Sequence, residues 1–208
     1  MSTDVPSKCG KRLRNFRRKV IRLALVVLSS LTIGLGACSQ SGGNDLQLKS
    51  PGTGGKDVSV KSSYAFGVTK TFTDATGKMS TAASYRVYTA NYDLDWANFA
   101  QTLDKPLKSD DDVRIIFSLV GEQGSNEKSS VKAGTYSAKA DKFMKVEDVS
   151  IISRKGGADN KVVLDRNMLS GGVKVTSASD DSVSGDIDLS AGDTAIKGSF
   201  TARILKRK

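Results

Sequence analysis

Histidine is absent from the 208 residues, and cysteine occurs only twice, at Cys9 and Cys38. Without imidazole the chain has neither the usual general base near neutral pH nor the commonest metal ligand. Ser-His-Asp and Cys-His catalysis and most zinc sites are thereby excluded, which leaves carboxylate, lysine, tyrosine and hydroxyl chemistry. No apolar run reaches the roughly 20 residues that a membrane-crossing helix needs. No repeat of about 20 to 50 residues is visible, which argues against a propeller or solenoid. The glycine-rich piece "PGTGGK" lacks the Gly-x-x-x-x-Gly-Lys-Ser/Thr spacing and the strand-turn-helix context of a phosphate-binding loop.

The formal charge of +10 suggests a nucleic-acid or membrane-surface protein until its distribution is read. Eight basic side chains (Lys8, Lys11, Arg12, Arg14, Arg17, Arg18, Lys19, Arg22) and one acid, Asp4, lie in the first 37 residues. The remainder holds 24 basic and 21 acidic groups, a net side-chain charge of +3. With both signs interspersed, that remainder has an ordinary soluble surface, and nucleic acid is not an expected partner.

The basic stretch runs into "LALVVLSSLTIGLGA", an apolar segment of fifteen residues. A basic region followed by an apolar region of this length is the layout of an export signal. Arg17-Arg18 after Phe16 is a weak form of the twin-arginine pattern, and the general secretory route is the expectation. At the end of the apolar segment stand Leu35-Gly36-Ala37-Cys38, an aliphatic residue, two small residues and the cysteine. These four residues resemble the lipobox of bacterial lipoproteins. The resemblance implies cleavage between Ala37 and Cys38, acylation of Cys38, and anchorage in a lipid bilayer of the cell envelope. Ser39 is then compatible with transport to an outer membrane where the organism has one. Two or three acyl chains hold a soluble domain where one is marginal, since each buried methylene contributes about 0.8 kcal/mol. Cys9 would leave with the leader, so the mature chain has no internal disulfide and relies on a packed core.

Residues 39–57, "SQSGGNDLQLKSPGTGGKD", are rich in Gly, Ser and Asn. The organisation expected is therefore a cleaved signal over 1–37, a lipidated Cys38 with a flexible tether through 57, and one domain over 58–208. Such a tether spans roughly 20 to 27 Å root mean square. The alternative is that Leu46 and Leu48 form an edge strand.

From Val58 onward, period-two alternation in short runs broken by Gly, Asp, Asn and Ser predicts strands. "VRIIFSLV" places Val113, Ile115, Phe117 and Leu119 on one face. "DVSVKSSYAFGVTKTF" and "MSTAASYRVYTANY" read as two long strands around "TDATGK", and "GGVKVTS", "SVSGDIDLS" and "TAIKGSFTARIL" as an antiparallel meander. The fold class is all-β, an antiparallel sandwich or barrel of about eight to ten strands with at most one short helix, "DLDWANFAQTL" behind Asp93 or Asp95.

Site candidates are few. Asp110, Asp111 and Asp112, the pair Asp180 and Asp181, and Asp186, Asp188 and Asp193 offer oxygen ligands, but none fits a calcium-loop pattern, and solvated turns are expected. Tyr64, Phe66, Tyr85, Tyr88, Tyr92, Trp96 and Phe99 gather in the first third of the domain, as core packing or as a ligand surface. Tyr88 and Tyr92 are expected on one strand face and Tyr85 on the other, with Trp96 the best candidate for an exposed contact. The terminal Lys206, Arg207 and Lys208 could touch anionic lipid or fray in solvent. No catalytic, cofactor or metal residue is nominated. The function expected is a non-enzymatic, membrane-anchored binding, structural or assembly module, with an envelope protein or polysaccharide as partner. The alternatives are a small apolar-ligand carrier resembling lipocalins in outline and, behind it, a carboxylate-dependent hydrolase.

Overall fold

The computed structural model describes residues 44–51, 54–98 and 105–206. The described residues form eleven strands: β1 (Asp45–Ser50), β2 (Gly54–Ser59), β3 (Ser62–Thr73), β4 (Met79–Ala90), β5 (Val113–Val120), β6 (Gly134–Ser137), β7 (Lys145–Lys155), β8 (Ala158–Val163), β9 (Ser170–Ala178), β10 (Ser182–Ala191) and β11 (Thr194–Ile204). Eight of them close a barrel in the order β3-β4-β5-β7-β6-β9-β10-β11 and back to β3. The expected all-β fold is present, as a barrel. It is mixed, because β11 meets β3 in parallel at Arg203↔Tyr64 and Ile204↔Ala65, and β6 meets β7 in parallel at Ser137↔Lys145. The other neighbours are antiparallel.

Alternation builds the wall. On β5, Val113, Ile115, Phe117 and Leu119 point into the main core, where Phe117 meets Phe200 of β11 edge-on at 5.3 Å between centroids. Inward residues of the other barrel strands complete it, among them Tyr85, Tyr136, Val146, Ile151, Val173, Leu189 and Ile196, all buried. The interior is thus filled with side chains, each large apolar one contributing roughly 1.5–3 kcal/mol by its removal from water. A smaller cluster lies on the outside of the wall, where Tyr88, Ala90, Ile116 and Ile152 are covered by Leu94 and Leu107 from the β4–β5 connection. That connection is pinned by side chains: Ser62 Oγ donates to Tyr92 O (2.7 Å), Val113 N to Asn91 Oδ1 (2.7 Å) and Leu107 N to an Asp159 carboxylate oxygen (2.9 Å).

Two expectations are corrected, and the run read as a possible short helix is described only in part. The tether does not extend to residue 57: β1 and β2 form a hairpin whose first strand pairs with β11. Leu46 and Leu48 are buried in the main core and Asp45, Gln47 and Lys49 exposed, the alternation of a half-buried strand. Gly198 makes the close approach possible, since its φ of +133° is open to glycine and a Cβ there would collide with the Asp45 carbonyl. The run "DVSVKSSYAFGVTKTF" is two strands and not one, broken at Val60 and Lys61, where Val60 N donates to Asn44 O (2.8 Å) and Lys61 N to Ala90 O (2.9 Å). The short helix reduces, among the described residues, to a 3-10 turn at Trp96–Asn98, capped by Asp95, whose carboxylate accepts from Asn98 N at 3.4 Å. The rest of that run, residues 99–103, lies outside the described residues.

The "TDATGK" turn has a local cause. Asp74 Oδ1 accepts from Thr76 N (2.9 Å), Thr76 Oγ1 (2.6 Å) and Lys78 N (3.0 Å), and Gly77 takes a φ of +82°. The hydrogen bonds, that from the Thr76 side chain first, hold the Asp74 carboxyl below its usual range.

Candidate functional site

Where β3 and β11 part, the wall opens. Their parallel contact ends at Ala65, and Leu205 N donates to Ala65 O (2.7 Å) as the last bond between the two tracks. β3 runs on to Thr73, still paired to β4 along its other edge. The result is a slot of about 660 Å³. One side is β3 from Gly67 to Thr69, the other is Ile204 to Lys206 with Ser179 and Asp180 of the β9–β10 turn, and Glu127, Lys128, Ser130 and Tyr85 close the remainder. Its volume lies within the ~300–1,000 Å³ of small-molecule pockets.

The parts of the slot hold one another. Tyr85, reaching up from the barrel interior, donates its hydroxyl to Ser129 O. Burial, with the Asp180 carboxylate adding to it, pushes its pKa up, so the phenol stays protonated as a donor. Glu127 N donates to Thr69 Oγ1 (3.1 Å) and Ser130 Oγ to Asp180 Oδ1 (2.9 Å), which strings the β5–β6 connection across the barrel mouth. Gly67 leaves room for the Tyr85 ring, whose nearest atom would stand 3.1 Å from an added Cβ. Lys206 binds Asp181 at 2.9 Å, and that hydrogen bond raises its pKa, so the first residue of the basic terminus is fixed to the β9–β10 turn. Arg207 and Lys208 lie outside the described residues.

The acidic clusters serve the loops. Asp110 accepts from Gly156 N (2.8 Å) and Gly157 N (3.2 Å) in the β7–β8 turn. Asp112 accepts from Lys108 N and Ser109 N (both 3.0 Å), and Asp111 pairs with Lys56 at 3.6 Å. Asp188 pairs with Lys197 across β10 and β11 at 3.2 Å, and Asp186 is exposed on the same strand. Among the described residues, no three His, Cys, Asp or Glu side chains converge on a common point suited to a metal ion.

The aromatics divide as the strand faces require. Tyr85 is inside, whereas Tyr88 and Tyr92 belong to the outer cluster with Tyr64 and Phe66, and Phe66 stacks on Tyr88 at 5.9 Å. The side chains of Trp96 and Phe99 lie outside the described residues, as do Ala37 and Cys38.

Sequence reasoning missed Glu147. It sits almost fully buried on the outer wall at a bulge in β7, held by Lys70 and, at 3.4 Å, by Arg166. Asp148, the extra residue, takes a φ of +54°. Glu147 in "VEDVSIIS" looks like any outward acid, and only Lys70, 77 residues earlier in the chain, reveals its burial.

Fold and slot together define a class: a closed mixed β-barrel with a filled interior and an opening in its wall. In comparisons with known proteins, no family model, no curated protein and no solved structure matches this chain. What it does has to be argued from its own residues.

Proposed function

We propose that this chain is a lipid-anchored envelope protein whose barrel is a binding or assembly module, presenting the slot between β3 and β11 to another macromolecule. The observation that carries this reading is the location of the open space. An apolar-ligand carrier needs an enclosed interior cavity, whereas Phe117, Phe200, Tyr136, Leu119 and Ile151 fill this barrel at 0–1 % exposure. The concavity lies instead in the wall and is lined by strand edges and loop termini. A hydrolase of the paired-carboxylate kind needs two carboxyls facing a cleft, and among the described residues the buried carboxylate, Glu147, is engaged by two cations on the outer wall.

The anchor reading rests on Leu35-Gly36-Ala37-Cys38 at the end of the export-type segment. With β1 beginning at Asp45, six peptide steps separate Cys38 from Asn44. At 3.3–3.6 Å per residue they reach at most roughly 20 Å. The acylated barrel would thus stand close to the bilayer. The test is partitioning between detergent and aqueous phases: Cys38→Ala should move the protein to the aqueous phase. A variant that still partitions like the wild type refutes the anchor.

A further inference from the structure

We propose that the free edge of β3 from Gly67 to Thr73 takes up an extended polypeptide segment of another protein, which adds as a strand in the slot above the end of β11; this rests on the binding-module reading. The edge follows from hydrogen-bond parity. Asp74 N donates to Lys78 O (3.1 Å) at the β3–β4 turn, so the even-numbered residues of β3 exchange bonds with β4. Ala65 accepts from Leu205 N on the opposite side, so the odd-numbered residues face β11. Past Ala65 that side comprises Gly67, Thr69, Thr71 and Thr73. No backbone partner meets their N–H and C=O groups among the described residues. The three threonine side chains are exposed as well.

Sheet edges of this length are normally blunted, most often by lysine. The sole charged residue of "FGVTKTFT" is Lys70. Its ammonium is drawn to Glu147 on β7, across β4 and β5 and away from the slot, over Ala82, Ser84 and Val120, all buried. The edge is therefore unpaired in its backbone, and the one lysine of the strand is turned away from it.

The chemistry of the occupant is fixed by what it must match. A row of donors and acceptors repeating every two residues, about 6.6–6.8 Å, is complemented by extended backbone. β11 already shows the track, since its pairing with β3 ends where the slot begins. The Ser179–Asp180 turn and the Glu127–Ser130 connection flank the edge at Gly67–Thr69, and a single flexible strand threads such a flanked edge more readily than the rigid edge of a second barrel. Side chains on one face of the segment would meet Thr69 and Thr71, and those on the other Val68 and Phe72. The fitting segment therefore alternates polar with apolar residues.

The experiment is residue-resolved amide hydrogen exchange on the unacylated Cys38→Ala protein. The probe is a synthetic heptapeptide alternating threonine and valine, with a lysine at each end. Free, the amides of Gly67, Thr69, Thr71 and Thr73 should exchange rapidly; at saturating probe they should slow by about tenfold or more, while Val68, Lys70 and Phe72, bonded to β4, stay unchanged. Thr71→Pro removes one outward N–H and leaves the β4 ladder intact, so a Thr71→Pro protein that melts like the parent should lose the protection at the other three positions; Thr69→Pro serves if it does not fold. Unchanged exchange with probe at millimolar concentration overturns strand addition. So does self-association in sedimentation that protects the same four amides without probe, because a second copy then takes the edge. A benzophenone side chain at position 128 in intact cells separates the two readings: a defined envelope partner trapped there despite unchanged exchange leaves the binding module standing and removes only the strand.

Discussion

Leu48→Ala tests whether residues 45–50 belong to the barrel or to the leash. Leu48 is 2 % exposed, opposite Lys56 of β2 on one side and Ile196 of β11 on the other, and it packs into the main core. Truncating a buried leucine costs the transfer free energy of the lost carbons plus a cavity term, together about 2–5 kcal/mol. For a domain of this size each kcal/mol moves the midpoint by about 2–4 °C, so about 3 kcal/mol corresponds to a loss of about 6–12 °C. Gln47→Ala, the exposed neighbour on the same strand, should stay within about 0.5 kcal/mol of the parent. Thermal unfolding followed by far-ultraviolet circular dichroism in the Cys38→Ala background reads both. If Leu48→Ala melts together with Gln47→Ala, the segment is not part of the cooperative core, and the proposed short reach from Cys38 to the barrel fails with it.

Glu147→Gln should destabilise by about 1–3 kcal/mol in urea titration, because Lys70 and Arg166 lose the charge they bind at a largely buried carboxylate; adding Lys70→Met should recover part of that loss in a double-mutant cycle. Tyr136 should ionise well above a free phenol in a phenolate absorbance titration, since burial pushes its pKa from 10 up to about 12. The folded chain favours the neutral phenol, so this contribution to stability is full below pH 10 and is lost as the pH rises through about 12; a Tyr136 that ionises near 10 in the folded protein would refute its burial.

The parts legible in the sequence are those whose cause is local. β9, β10 and β11 alternate cleanly and are joined by short turns, so their meander follows from pattern and loop length. The Asp74 turn is written in six residues. β1 was legible only as the alternative reading of Leu46 and Leu48, because two leucines among glycines and serines make a weak pattern and the partner, β11, lies about 150 residues further on. β6 has four residues and a single buried side chain, Tyr136, too little alternation to read, yet it supplies one of the two parallel contacts that make the barrel mixed. The slot was hidden for a stricter reason. No residue type marks it, because it arises from the register at which β11 stops against β3.

That register also explains why only one of the two parallel seams is open. β6 and β7 are joined by seven residues, 138–144, which stay beside their own seam: Ser137 N donates to Met144 O (2.9 Å), Met144 N to Gly121 O (3.1 Å), and Phe143 packs edge-on against Phe72 at 5.3 Å. A connection that short covers what it joins. β11 and β3 come from opposite ends of the domain, so no linker between them exists to fold over the gap, and β3 continues eight residues past the last paired position. Asn44 lies at the other end of β3, since its carbonyl accepts from Val60 N two residues before that strand begins. At about 3.3 Å per residue, the edge from Gly67 to Thr73 extends from roughly 16 to 36 Å along β3 from Ser62. The end of β3 beside Asn44 and the end that carries the open edge are thus apart, so a partner can enter the slot without meeting the hairpin of β1 and β2.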